Sequence, residues 1–207
     1  MEKHTVSASL TDNTKYMNRA LPVKKSFDII ERNLIIGGQN SAFYFIDGFT
    51  KDETMLKLMD SFLNISADDM PEDATSFSTS CIPYVEVDIL GDFDSIFKNL
   101  LSGVTCLFID GYEAAIAIDC RTYPSRSIEE PDKDKSLRGS RDGFVETIVF
   151  NTALMRRRIR DPHLIMEMYE AGTSTRTDVA LCYMSDRVDR ELLTTIQNKL
   201  EESKSQD

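Results

Sequence analysis

The chain has 207 residues, 41% hydrophobic and 29% charged, with a net charge of −11 at neutral pH. This is ordinary globular composition, enough for one large domain or two small ones. The acidic balance argues against generic nucleic-acid binding, and no run reaches the ~18–20 apolar residues that cross a bilayer.

In chain order, Met1-Glu2-Lys3-His4 opens a polar stretch without signal-peptide character, and residues 1–14 are expected to fray. A short helix is predicted over 12–21, ended by Pro22. Residues 27–36 and 41–46 read as a hairpin turning at Gly37-Gly38-Gln39-Asn40. A helix follows over 51–64, with Met55, Leu58, Met59, Phe62 and Leu63 inward. Residues 68–80, rich in acids and serines with Pro71, read as an exposed loop. A strand over 84–90 leads to a helix from Asp92, with Phe93, Ile96, Phe97, Leu100 and Leu101 inward and Gly103 at its end. The runs 104–109 and 114–119, joined by Asp110-Gly111, lack charges and predict strands buried on both faces.

Residues 121–135 combine two prolines with four acids and little apolar content, the composition of an interdomain linker. Beyond it a strand over 135–138, a helix over 143–160, strands over 163–171 and 178–184 and a helix over 188–203 are predicted. The class is therefore α/β: two small α/β subdomains, each a mixed sheet packed with helices, joined by an acidic linker. The divisions are a flexible N-terminus with its short helix at 1–22, a first subdomain at 23–124, a linker at 125–135 and a second subdomain at 136–203.

The most informative segment is Ser136 to Leu164. Within 135–160 seven basic residues face two acidic ones, against the trend of the whole chain. Arg138-Gly139-Ser140-Arg141 forms a flexible turn before a helix whose cap is Asp142 or Ser140. Val145, Ile148, Val149, Thr152, Met155 and Ile159 define an expected buried stripe. Arg156, Arg157, Arg158 and Arg160 complement the negative end of the helix dipole, and Asp161-Pro162 closes the helix. Arg156 falls beside the apolar stripe, where partial burial with an acidic partner is expected.

This unit resembles the hallmark of the A subunits of the GerA family of bacterial spore germination proteins: an RGxRxGF segment, a long helix and an arginine-rich ending before Asp-Pro. Phe45-Ile46-Asp47-Gly48-Phe49, Ile128-Glu129-Glu130-Pro131 and the stretch from Gly172 into Asp178–Met184 fit as well, so the resemblance runs from about Ser26 to Leu200. One departure is Gly172-Thr173-Ser174, where the family has Gly-Arg-Arg. The resemblance implies the soluble N-terminal domain of a spore inner-membrane protein, on the cytoplasmic (spore core) side, whose membrane region lies C-terminal and is absent from this chain. It implies a non-enzymatic assembly or signal-coupling module of an oligomeric ion-release channel. Its partners would be other copies of itself and other spore membrane germination proteins, with no nucleic acid.

The alternative is a sensor of a small ligand, a germinant or metabolite, held between the subdomains. Arg138, Gly139, Ser140 and Arg141 suit either an anion site or a structural turn. Arg156, Arg157, Arg158 and Arg160 suit either a partner surface or a solvated helix end. His4 and His163 do not converge as metal ligands, and no cofactor is expected. Asp47, Asp110 and Asp119 follow apolar strands, where turn roles are commoner than catalysis. No hydrolase or nucleophile–base signature is present. Cys81, Cys106, Cys120 and Cys182 form no CxxC pair and read as free thiols.

Overall fold

Alternating apolar residues draw the first part of the chain into a five-stranded sheet. The computed structural model describes residues 4–82, 85–122 and 143–204. The expected linker at 125–135, the strand at 135–138 and the turn Arg138-Gly139-Ser140-Arg141 lie outside the described residues.

Strands β1 (Ile29–Ile36) and β2 (Gln39–Ile46) form the predicted hairpin, with Ile36 opposite Gln39. Gly37 and Gly38 have φ of 53° and 79°, the left-handed pair that a two-residue hairpin turn demands. With β3 (Val87–Leu90), β4 (Thr105–Ile109) and β5 (Ala115–Ile118), the order is β1-β2-β4-β5-β3. All pairings are antiparallel. The period of two sends Ala42, Tyr44, Ile46, Cys106 and Phe108 to one face, and Phe43, Leu107 and Ile109 to the other. The first face is covered by α1 (Leu10–Ala20) and α4 (Phe93–Leu101) through Met17, Leu21, Phe93, Ile96 and Leu100. The second is covered by α2 (Asp52–Leu63) and α3 (Ala74–Cys81) through Leu58, Phe62 and Phe77. Every residue of β4 and β5 is buried, as their uncharged runs predict.

A second, two-stranded sheet pairs β6 (Leu164–Ala171) with β7 (Thr177–Met184), also antiparallel. Helix α6 (Arg190–Ser203) covers one face, with Leu193 packed on Ile165 and Tyr183. Asp189 caps α6 by accepting the Glu191 and Leu192 N–H groups. At its other end, the Gly172 N–H donates to the Ser203 carbonyl at 3.0 Å. Helix α5 (Ile148–Arg158) packs against β7, yet its Ala153 belongs to the core of the five-stranded sheet.

The α/β class and the division into two sheets stand. Pairing within each sheet is antiparallel rather than mixed, because β1–β2, β4–β5 and β6–β7 are consecutive strands joined by tight connections. Residues 68–80 are not all loop: Asp73 accepts the Ser76 N–H at 2.7 Å and starts α3, whose Ala74 and Phe77 anchors are too few to show a period. Residues 4–9 are held rather than frayed. Val6 donates to Gly91 O, Phe93 donates to His4 O, and the His4 ring stacks on Tyr16 at 4.0 Å. Leu63 points outward, leaving Leu58 and Phe62 as the buried residues of α2. Helix α5 is shorter than 143–160. Thr147 holds the N-cap position, and the expected caps Ser140 and Asp142 lie outside the described residues. Val145 precedes the helix in a reciprocal pair of 2.7 Å bonds with the Asn151 amide.

At Gly48, φ is 77°, and a Cβ there would lie 3.1 Å from Ala153 Cβ and 3.2 Å from Val149 Cγ1. Gly111 has φ of 93° with open space around it. Gly48→Ala is therefore expected to destabilise by roughly 2–4 kcal/mol, and Gly111→Ala by only about 1 kcal/mol, the backbone cost alone. Urea unfolding of the two variants measures the difference.

Candidate functional site

The seam between the two sheets is built on one buried ion pair. Asp28 lies one residue before β1, and Arg156 sits in the last turn of α5. Arg156 Nε donates to Asp28 Oδ2 at 2.7 Å, and Nη2 donates to Oδ1 at 3.2 Å. Nη2 also reaches Leu164 O at 2.9 Å, and Nη1 reaches Asp161 O at 3.0 Å. Both side chains are at most 1% exposed. The Ser26 hydroxyl donates to Asp28 Oδ1 while accepting the Met166 N–H at 2.9 Å, and the Phe27 N–H donates to Met166 O at 2.9 Å. The guanidinium fork thus joins the entrance of β1, the end of α5 and the start of β6.

A second carboxylate closes the seam beside it. Glu167 accepts from Tyr169, Tyr183 and Gln197 at 2.9, 2.9 and 2.7 Å, and lies 3.5 Å from Lys25 Nζ. Burial pushes its pKa up, but these donors and the Lys25 charge outweigh burial and hold the carboxyl below its ordinary value.

Arg156 is therefore withdrawn from the expected contact surface. It shares the inward side of α5 with Thr152, one turn earlier, and its donors are spent within the chain. Each step of about 100° then swings Arg157 and Arg158 outward. Arg157, Arg158 and Arg160 are exposed, and Arg160 Nε donates to Arg157 O at 3.3 Å. Of the expected stripe only Thr152 is buried; Ala153 and Arg156 complete the inner face. Asp28 and Ser26 escaped sequence reasoning. Asp28 sits among mixed residues, Lys25-Ser26-Phe27 before it and Ile29-Ile30-Glu31 after it, and its partner is 128 positions away.

The remaining candidates have structural roles. Asp110 accepts the Leu10 N–H at 2.8 Å. Asp119 pairs with Arg121, whose hydrogen bond holds the carboxyl low against burial. His163 Nδ1 lies 2.9 Å from Asp161 at the entry to β6. The four cysteines are free thiols, with Cys106 and Cys120 buried. Beside the seam, a cleft of about 550 Å³ opens between the end of β2, the start of α2 and α5.

Residues 15–207 match the family described as Bacillus/Clostridium GerA spore germination protein. The chain belongs to the GerA family. It is 32% identical over 200 residues to stage V sporulation protein AF of Bacillus subtilis (strain 168), covering 96% of this chain and 41% of that relative. To spore germination protein KA of the same organism it is 29% identical, covering 95% of this chain and 36% of the relative. It thus spans about two fifths of the curated relatives' length. Its fold is that of the N-terminal domain of the A subunit of the Bacillus megaterium spore germinant receptor GerK3, at a TM-score of 0.73 and 20% identity, covering 97% of this chain and 74% of that one. Among the described residues of this GerA-family chain, no helix is long and apolar enough to cross a membrane.

Removing one partner of the seam pair strands a buried charge. Arg156→Ala or Asp28→Leu alone should each cost about 3–5 kcal/mol, and the pair Asp28→Leu/Arg156→Met should recover much of it. Urea unfolding of this double-mutant cycle reads the coupling. Glu167 gives a pH dependence. Its folded pKa is depressed, so its contribution is full above the ordinary value of 4.5 and is lost as pH falls through the folded value. The acid loss of stability below about pH 4.5 should be shallower in Glu167→Gln than in the unaltered chain, measured by urea midpoints across pH.

Proposed function

We propose that this chain is a non-enzymatic assembly and signal-coupling module of an oligomeric ion-release complex acting in spore germination. It works as part of a spore inner-membrane protein, on the spore-core side, beside other copies of itself and other germination proteins. The observation that carries this reading is the seam. Helix α5 contributes Ala153 to the core of one sheet and packs against the strands of the other, while Arg156 ties both together. A displacement at either sheet is thereby felt at the other, as a coupling element requires. The same helix presents Arg157 and Arg158 outward, with Arg160 just beyond its end. On a chain of net charge −11, this positive end complements an acidic surface of a neighbouring subunit. Arg138 and Arg141 add further positive charge to the same stretch of sequence. Relatives such as stage V sporulation protein AF and spore germination protein KA are named for sporulation and spore germination, which supports this reading.

Arg157→Glu with Arg158→Glu, introduced into the full-length protein, should abolish co-purification of the assembled complex and slow germination several-fold. Chain stability should fall by no more than about 2 kcal/mol, the scale of reversing two charges at a helix C-terminus. Intact assembly with normal folding would refute the role of these arginines.

A further inference from the structure

We propose that the cleft beside the seam binds a primary ammonium ion carrying an apolar group. This inference is independent of the coupling role, since none of the exposed arginines lines the cleft. Its volume of about 550 Å³ is in the range of small-ligand sites. Two polar groups there are unprovided for. Asp47 is half-buried, and among the described residues no cation pairs with it; only the Gly48 N–H bonds its carboxylate. The Thr50 hydroxyl is buried without a hydrogen-bond partner. The desolvated Asp47 carboxylate is unfavourable when the cleft is empty and becomes an acceptor when an N–H-bearing cation enters, while the Thr50 hydroxyl is sealed beneath the surface.

The electrostatics favour a cation over an anion. Burial raises the Asp47 pKa, against the Gly48 N–H, and the charges of Asp28 and Asp52 raise it further. Burial disfavours either sign of charge, but the neighbouring acids add a negative potential that favours a cation over a carboxylate or phosphate. Lys51 also lines the cleft, but its ammonium lies 3.9 Å from Glu53 at an exposed position. A bare metal ion is not favoured: among the described residues no group of three carboxylate, histidine or cysteine ligands converges. Met55, Val149 and the half-exposed ring of Phe150 give the cleft an apolar wall. This wall suits an aliphatic tail, and the ring face can stack on the cation.

The test is calorimetric titration of the whole chain at constant ionic strength with isoamylamine, isoamyl alcohol, isovalerate and potassium chloride. Isoamylamine is expected to bind saturably in the low-millimolar range, as its small size allows. The alcohol and the acid, of the same shape, should bind at least about tenfold more weakly, and potassium should not displace the amine. Asp47→Asn should weaken the amine by about tenfold or more while melting at or above the temperature of the unaltered chain at neutral pH, because it removes an unpaired, desolvated carboxylate. Phe150→Ala, at a half-exposed position that folding tolerates, should weaken it as well. Equal binding of the alcohol, displacement by potassium, no amine binding, or full affinity in both variants would each overturn the proposal.

Discussion

One ion pair, Arg156 to Asp28, decides how the rest of the molecule can be arranged. A guanidinium and a carboxylate at most 1% exposed are tolerable only when nearly every donor and lone pair is satisfied. Satisfaction here requires three separate pieces of chain at once: the 26–28 segment, the end of α5 and the Asp161–Leu164 turn into β6. The geometry leaves little latitude, since moving any one piece by an ångström breaks bonds that water cannot replace. The pair is thus better understood as a device for specifying one arrangement than as a source of stability, because an apolar substitute of similar volume would stabilise comparably.

Around that pair the two sheets contribute differently. The five-stranded sheet has helices on both faces and a large aromatic core through Phe43, Phe62, Phe77, Phe93 and Phe108. The two-stranded sheet is small, and a lone hairpin of this size is marginal in water. It persists because α6 covers one face, α5 packs against β7, and Glu167 gathers Tyr169, Tyr183, Gln197 and Lys25. The smaller body depends on the larger for its order, and α5 is the element through which that dependence runs.

The fold was legible in the sequence where burial follows a simple period. The β1–β2 hairpin reads from Gly37-Gly38 and its flanking strands, and β4–β5 from their unbroken apolar runs. It was illegible where burial comes from elsewhere. Helix α3 is anchored by Ala74 and Phe77 alone, so serine and threonine hide it. Helix α5 buries Thr152, Ala153 and Arg156 because it sits between two bodies, and an arginine cannot be scored as core by hydrophobicity. The GerA resemblance marked the arginine run, but only coordinates separate the buried Arg156 from its outward neighbours. The acidic end of the clasp, Asp28, carries no local signal, and Asp47 reads as an ordinary strand-end acid until the cleft around it is seen.

The separation of Asp28 and Arg156 by 128 positions also governs the order in which this chain can be completed during synthesis. Translation delivers the five-stranded sheet first, with its aspartate in place and no cation to receive it. Until α5 emerges, Asp28 must stay hydrated, so the 26–28 corner remains open to solvent while the rest of that sheet closes. The arginine arrives after that whole sheet and acts as a latch completed by the Asp161–Leu164 turn that follows it, and a nascent chain stalled before it would carry a sheet that is folded at its centre and unsealed at its margin.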